Sequence, residues 1–218
     1  MQLTPDIDQW LVDAGYQYHC FISWPHTRNK DISDCAIRLK EAIEQSLALS
    51  IPNPRVFLDD SEITGGSIWK RNLRNALCKS ISMVAICAPI YYHPSHFWCG
   101  LEWAAMHFLT LERLPDSDFS AIIPVLLKKD EFLPTCVSEI QYIDFSRILI
   151  TGRNYYRTNH YRQKIQEIIQ RIENIASTIA NHNRLLDCDH FDIPEKSAFE
   201  NYQKYTQPFP FRKEKNGN

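Results

Sequence analysis

The chain has 218 residues, 44% of them hydrophobic and 23% charged, which fits one generous α/β domain with an appendage and excludes global disorder. Its formal net charge of -2 excludes a general polyanion-binding surface. Seven cysteines (positions 20, 35, 78, 87, 99, 136 and 188) form no CxxC pair and no metal-ligand spacing, so the expectation is no metal site and reduced, mostly buried thiols in a cytosolic protein. The opening MQLTPDIDQW lacks the basic and apolar blocks of a signal peptide. The longest apolar stretch, near Ile81 to Tyr92, falls short of the ~20 residues that span a bilayer. A cytoplasmic setting without membrane contact is expected.

Residues 1–16 read as a lead-in, 17–186 as the domain and 187–218 as a C-terminal extension. YHCFISW (18–24) is a short buried strand ended by Pro25. From Ser33 to Leu49, apolar residues at Ile37, Leu39, Ala42, Ile43 and Leu47 predict an amphipathic helix. Arg55 to Asp60 is a second strand closing on two acids, and residues 62–66 form a Gly-containing loop. Ser67 then caps a helix running to about Ser80. Ile81 to Pro89 is a nearly all-apolar strand of the kind covered on both faces. A third helix spans Phe97 to Leu114, a fourth strand Ala121 to Leu127, and a candidate fifth Tyr142 to Phe145. The last helix, from about Tyr161 to Leu185, aligns Ile165, Ile168, Ile169, Ile172, Ile175 and Ile179 on its inner face.

Strands alternating with helices predict a doubly wound, five-stranded parallel sheet with helices on both faces. In such sheets ligands collect beyond the strand carboxyl ends, so the residues from Trp24, Asp59 and Pro89 onward frame the expected site. After Asp187 the pattern dissolves. Tyr202, Tyr205, Phe209 and Phe211 are candidates to pack back on the domain, and Pro208 and Pro210 preclude a long helix there. The extension is expected to carry one short helix and a disordered end.

FWCGLEWAAMH (97–107) holds one acid among aromatic and small apolar residues, and a buried charge is costly unless paired. At 100° per residue, Phe97, Leu101, Ala104, Ala105 and Phe108 share one buried stripe, with Trp98 and Glu102, four apart, on its flank. Glu102 is thereby expected at the rim of the core. Two readings stand: a rim glutamate paired with an arginine or lysine, or a carboxylate facing a ligand.

YHCFISW, an amphipathic helix, RVFLDD (55–60), a Gly-containing loop, SIWKRNLRNAL (67–77), an apolar strand ending Ala88-Pro89, and WCGLE (98–102) together resemble the Toll/interleukin-1 receptor (TIR) domain family. Ile123-Pro124-Val125 fits the same family, and the match runs from about Tyr18 to the end of the long helix. His19 departs from it, standing where the family usually has an acid. The resemblance implies a flavodoxin-like fold and divides the functional options. Enzymatic TIR domains cleave the nicotinamide–ribose bond of NAD+ with a glutamate four residues after a tryptophan, here Glu102 after Trp98. Animal adaptor TIRs commonly lack that glutamate, so its presence implies an enzyme, with NAD+ as substrate and no cofactor.

The implied binding residues are Trp98, Trp24, Ser23, His26, Asp59, Gly66, Ser67 and Ile68. Indole faces suit a flat cationic ring. Gly65 and Gly66 permit the 59–67 loop to gate the site. The N–H groups of Ser67 and Ile68 open a helix and suit a phosphate, while a plain loop and cap serves equally well. His26 and Arg28 suit a diphosphate, although exposed basic residues after a strand are ordinary. RNYYRTNHYRQK (153–164) reads as a solvated helix start and not as a nucleic-acid contact, since no wider basic surface accompanies it. Cys99 lacks His or Asp spacing for a triad and reads as packing.

The chain resembles stand-alone TIR proteins of bacterial Thoeris antiphage systems, which turn NAD+ into a cyclic ADP-ribose isomer or conjugate read by a separate effector protein of the same defence system. The alternatives are an NAD+-depleting hydrolase and a non-catalytic interaction module docking through the 59–67 loop. Self-association between TIR domains is implied in each case.

Overall fold

Five apolar runs lie side by side and all parallel in a computed structural model that describes residues 3–58, 67–115, 117–128, 135–148, 154–182 and 185–195. The strands are β1 (Tyr18–Ser23), β2 (Val56–Leu58), β3 (Ser80–Cys87), β4 (Ile122–Leu126) and β5 (Ile143–Asp144). The helices are α1 (Pro5–Asp13), α2 (Lys30–Leu47), α3 (Ser67–Cys78), α4 (Phe97–Arg113), the single turn α5 (Thr135–Ser138) and α6 (Asn159–Asn181). The sheet order is β2-β1-β3-β4-β5. The chain therefore builds outward from β1 on one side, then returns to place β3 on the other.

β3 is buried at every position because helices cover both faces of the sheet. α2 and α6 pack together on one face, and α3 and α4 on the other. The six isoleucines of α6 are all buried, so the sequence periodicity identifies its inner face correctly. In α2 the buried row is Ile32, Ala36, Leu39, Ile43 and Leu47, whereas Ile37 is exposed. Pro124 falls in β4 beside Ala85, and β5 joins β4 only from Val125 onward, so the missing N–H of Pro124 costs the ladder little.

Caps follow local chemistry. The Thr4, Asn29 and Thr158 side chains accept from backbone N–H groups of Ile7, Asp31 and Tyr161 to open α1, α2 and α6. The lead-in thus folds as a helix, which its sequence pattern did not announce. Its Asp8 reaches into the domain to His19.

α4 departs from the expected amphipathic stripe. Every residue from Cys99 to Met106 is buried, Glu102 among them at 2% exposure, while Phe108 is 49% exposed. The reason is double coverage: the sheet lies under α4, and α3 and the two 3-10 turns Pro89–Tyr92 and Pro94–His96 lie beside it. Glu102 is therefore inside the core and not at its rim. At the other end of α4, buried Arg113 donates to Ser80 O at 2.8 Å and to Cys78 O, which pins the helix to the α3–β3 junction.

The cysteines also differ from expectation. Cys78 and Cys188 form a disulfide across 110 residues of sequence, while Cys20, Cys35, Cys87 and Cys99 are buried free thiols. Residues 185–195 run along α3, where the Arg74 guanidinium donates to the carbonyls of Cys188 and Phe191, and Phe191 and Ile193 are buried. Tyr202, Tyr205, Phe209 and Phe211 lie outside the described residues.

Candidate functional site

β1 and β3 are neighbours, yet their following segments leave toward opposite faces, which makes their carboxyl ends the topological switch point of the sheet. Three elements meet there. Ser23 ends β1, Tyr91 lies in the 3-10 turn after β3, and Glu102 projects from the second turn of α4. Ser23 lies beside Ala85 in the sheet, and β3 runs two residues further before the turn that carries Tyr91.

Their polar atoms form one contact series. The Ser23 hydroxyl donates to Glu102 Oε2 at 2.5 Å and lies 2.7 Å from Tyr91 Oη. Tyr91 Oη also lies 3.3 Å from the carbonyl of Cys99. All three side chains are almost wholly enclosed, at 0%, 2% and 2% exposure for Ser23, Glu102 and Tyr91. Burial, reinforced by the negative forms of Cys99, Cys87 and Glu102, raises the Tyr91 phenol well above its usual range, so it stays protonated. The question raised by an acid in an apolar segment thus has a local answer: Glu102 meets a hydroxyl on the first strand, 79 residues away.

The aromatic residues gather near this acid without enclosing it alone. Trp24 follows Ser23 directly, is half-buried and stacks on His26 with centroids 4.4 Å apart and planes 27° apart. Trp98 is half-buried against Phe97, centroids 5.0 Å apart. His26 also reaches the start of α4: the His96 imidazole is held below its usual range first by burial, then by the charges of His93 and His26. Ser67 and Ile68 occupy the first turn of α3. Asp59 and Gly66 lie outside the described residues.

Tyr91 escaped the sequence reading, although its place just after the third strand was the available signal. A separate cleft of about 1130 Å³ opens on the α2 side of the same sheet edge, lined by Asp31, Arg38, Pro89, Lys128, Tyr155 and Tyr156 among others. Among the described residues, Ser23, Trp24, His26, Trp98 and Glu102 do not line it, whereas Pro89 at the start of the third framing segment does, and Lys30, Arg38 and Lys128 mix there with Asp31 and Asp34. No group of His, Cys, Asp and Glu among the described residues is arranged to hold a metal ion. No helix among them is long and apolar enough to cross a membrane.

The strand order and the helices on both faces define a flavodoxin-like doubly wound protein, with a buried carboxylate at its topological switch point. The family model described as TIR domain matches residues 20–154, and the chain belongs to the TIR domain family. No curated protein matches it. Among solved structures, the TIR domains of the activated Roq1 resistosome directly recognizing the pathogen effector XopQ are 18% identical, with 76% of this chain and 84% of that one covered, at a TM-score of 0.34.

Proposed function

We propose that this chain cleaves the nicotinamide–ribose bond of NAD+, with Glu102 as the catalytic residue. The observation that supports the reading is a carboxylate buried at the switch point of a TIR domain, four residues after Trp98 and held by the Ser23 hydroxyl. When the bond between the ribose anomeric carbon and the pyridinium nitrogen breaks, its electron pair leaves with neutral nicotinamide. No acid is needed. Positive charge grows on the ribose, and a fixed carboxylate stabilises that charge more in the transition state than in the ground state.

Trp24 and Trp98 offer indole faces to the rings of the dinucleotide, with His26 and the amides of Ser67 and Ile68 toward its phosphates, and Asp59 and Gly66 are further candidate contacts. Glu102 is 2% exposed in the isolated chain, so turnover requires its surroundings to part. Assembly of several copies through TIR–TIR contacts supplies that opening, and activity then rises more than linearly with protein concentration. Capture of the ribosyl cation by an adenine nitrogen or an added small molecule yields a cyclic ADP-ribose isomer or conjugate, the signal of a Thoeris-type antiphage system read by a separate effector. Capture by water yields linear ADP-ribose and a proton, the outcome of simple depletion.

Incubation of concentrated protein with NAD+, with products resolved by mass spectrometry, tests the reading. Glu102→Gln preserves shape and is expected to lower turnover on the order of 10²–10³-fold with unchanged circular dichroism. Turnover by Glu102→Gln equal to that of the native chain defeats the catalytic assignment. Linear ADP-ribose alone defeats the signalling product, and an inert native chain across all concentrations favours an interaction module.

A further inference from the structure

With Glu102 ionised, the hydroxyl protons of the switch-point series can run in one direction. Serine and tyrosine hydroxyls own one proton each, and an ionised carboxylate owns none. Ser23 faces Glu102 Oε2 at 2.5 Å on one side and Tyr91 Oη at 2.7 Å on the other. Its proton goes to the carboxylate, so toward Tyr91 it can only accept. Tyr91 must then donate to Ser23, its other acceptor, the Cys99 carbonyl, being farther off at 3.3 Å. The phenol keeps the required proton because burial and the neighbouring Cys99, Cys87 and Glu102 oppose its ionisation.

Resting on the NAD+-cleaving reading, we propose that Tyr91 and Ser23 are positioning residues, a one-way relay of hydroxyl hydrogen bonds running Tyr91 to Ser23 to Glu102 that sets the direction of the catalytic carboxylate and stabilises its negative form. Three elements contribute one member each: the end of β1, the turn after β3 and the second turn of α4. The orientation of the carboxylate is therefore fixed by how the sheet closes around its switch point and not by α4 alone. Hydrogen bonds to a charged acceptor are the strong ones, and a donor that is itself an acceptor is further polarised. Ser23, 0% exposed, serves substrate through Glu102 and not by direct contact.

The test deletes one oxygen at a time, with Ser23→Ala and Tyr91→Phe. In the unliganded full chain, carbon-13 resonances of labelled glutamate carboxyls are followed through an acid titration, with Glu102→Gln identifying the Glu102 signal. The relay requires the Glu102 midpoint to rise by about one unit in Ser23→Ala, since a hydrogen bond to the charged form favours it, and by less in Tyr91→Phe. In NAD+ turnover, Ser23→Ala lowers kcat by roughly 10–100-fold with KM little changed, the split expected when only the transition state loses stabilisation. An unmoved or lowered midpoint in folded Ser23→Ala overturns the relay, whatever the turnover. Should the native chain leave NAD+ intact, the functional reading falls by itself and the titration still decides the relay.

Discussion

His19 stands where the family resemblance leads one to expect an acid, and its surroundings account for the change. The Arg55 backbone N–H donates to its Nδ1 at 3.1 Å, so its proton sits on Nε2, which donates to Asp8 at 2.8 Å. A neutral imidazole thereby ties α1 and the start of β2 to β1, with its side chain 6% exposed and that of Asp8 11%. An acid at this position confronts Asp8 across a buried gap. His19→Asp is expected to cost on the order of 3 kcal/mol in denaturant unfolding, because it leaves a buried carboxylate without its donor. Asp8→Asn in the same chain should recover part of that loss by removing the repulsion. Recovery of nothing would mean that His19 acts through shape alone.

At the level of elements, one disulfide and one arginine join the C-terminal segment to the domain. Cys78 closes α3, and Cys188 and the carbonyls held by Arg74 bring residues 185–195 alongside it. Cross-linking two points 110 residues apart removes conformations mainly from the unfolded chain. Reduction, or Cys188→Ser, should lower stability by about 2–4 kcal/mol. It should also expose residues 185–195 to proteolysis ahead of the sheet, since Arg74, Leu186, Phe191 and Ile193 then hold the segment by non-covalent contacts alone. Peptide mapping without reductant checks the bond, and timed proteolysis checks its consequence. α4 teaches a related lesson. Its stripe is misplaced when one assumes a single covered face, because α3 and two 3-10 turns bury the flank that carries Glu102.

The molecule as a whole carries an alkaline limit. Burial pushes the thiols of Cys20, Cys35 and Cys87 from 9.0 to about 12. Unfolded thiols release their protons above pH 9, while the folded ones hold theirs until about pH 12. The stability these groups contribute is therefore complete below pH 9 and falls as pH rises toward 12. Denaturation midpoints recorded from pH 8 to about 10.5 should hold steady at first and then drop, with alkylation of these three buried thiols, unlike that of half-buried Cys136, appearing only alongside unfolding. Rapid alkylation of all thiols in the folded chain at pH 8 would contradict the burial on which this rests.

Local pattern was enough to name the strands, the long helix and the residue types at the candidate site. A nearly all-apolar run, isoleucines recurring three or four positions apart, and an acid four after a tryptophan are each written within one element. The partners of those residues were not so written. Ser23 meets Glu102 across 79 residues, Tyr91 joins them from a third element, and Cys78 meets Cys188 across 110. Periodicity records which side of an element avoids water; it carries no coordinate for the element that will cover that side. That choice is made only when β3 returns to lie beside β1, and with it the burial of Glu102 and the direction in which its carboxylate points.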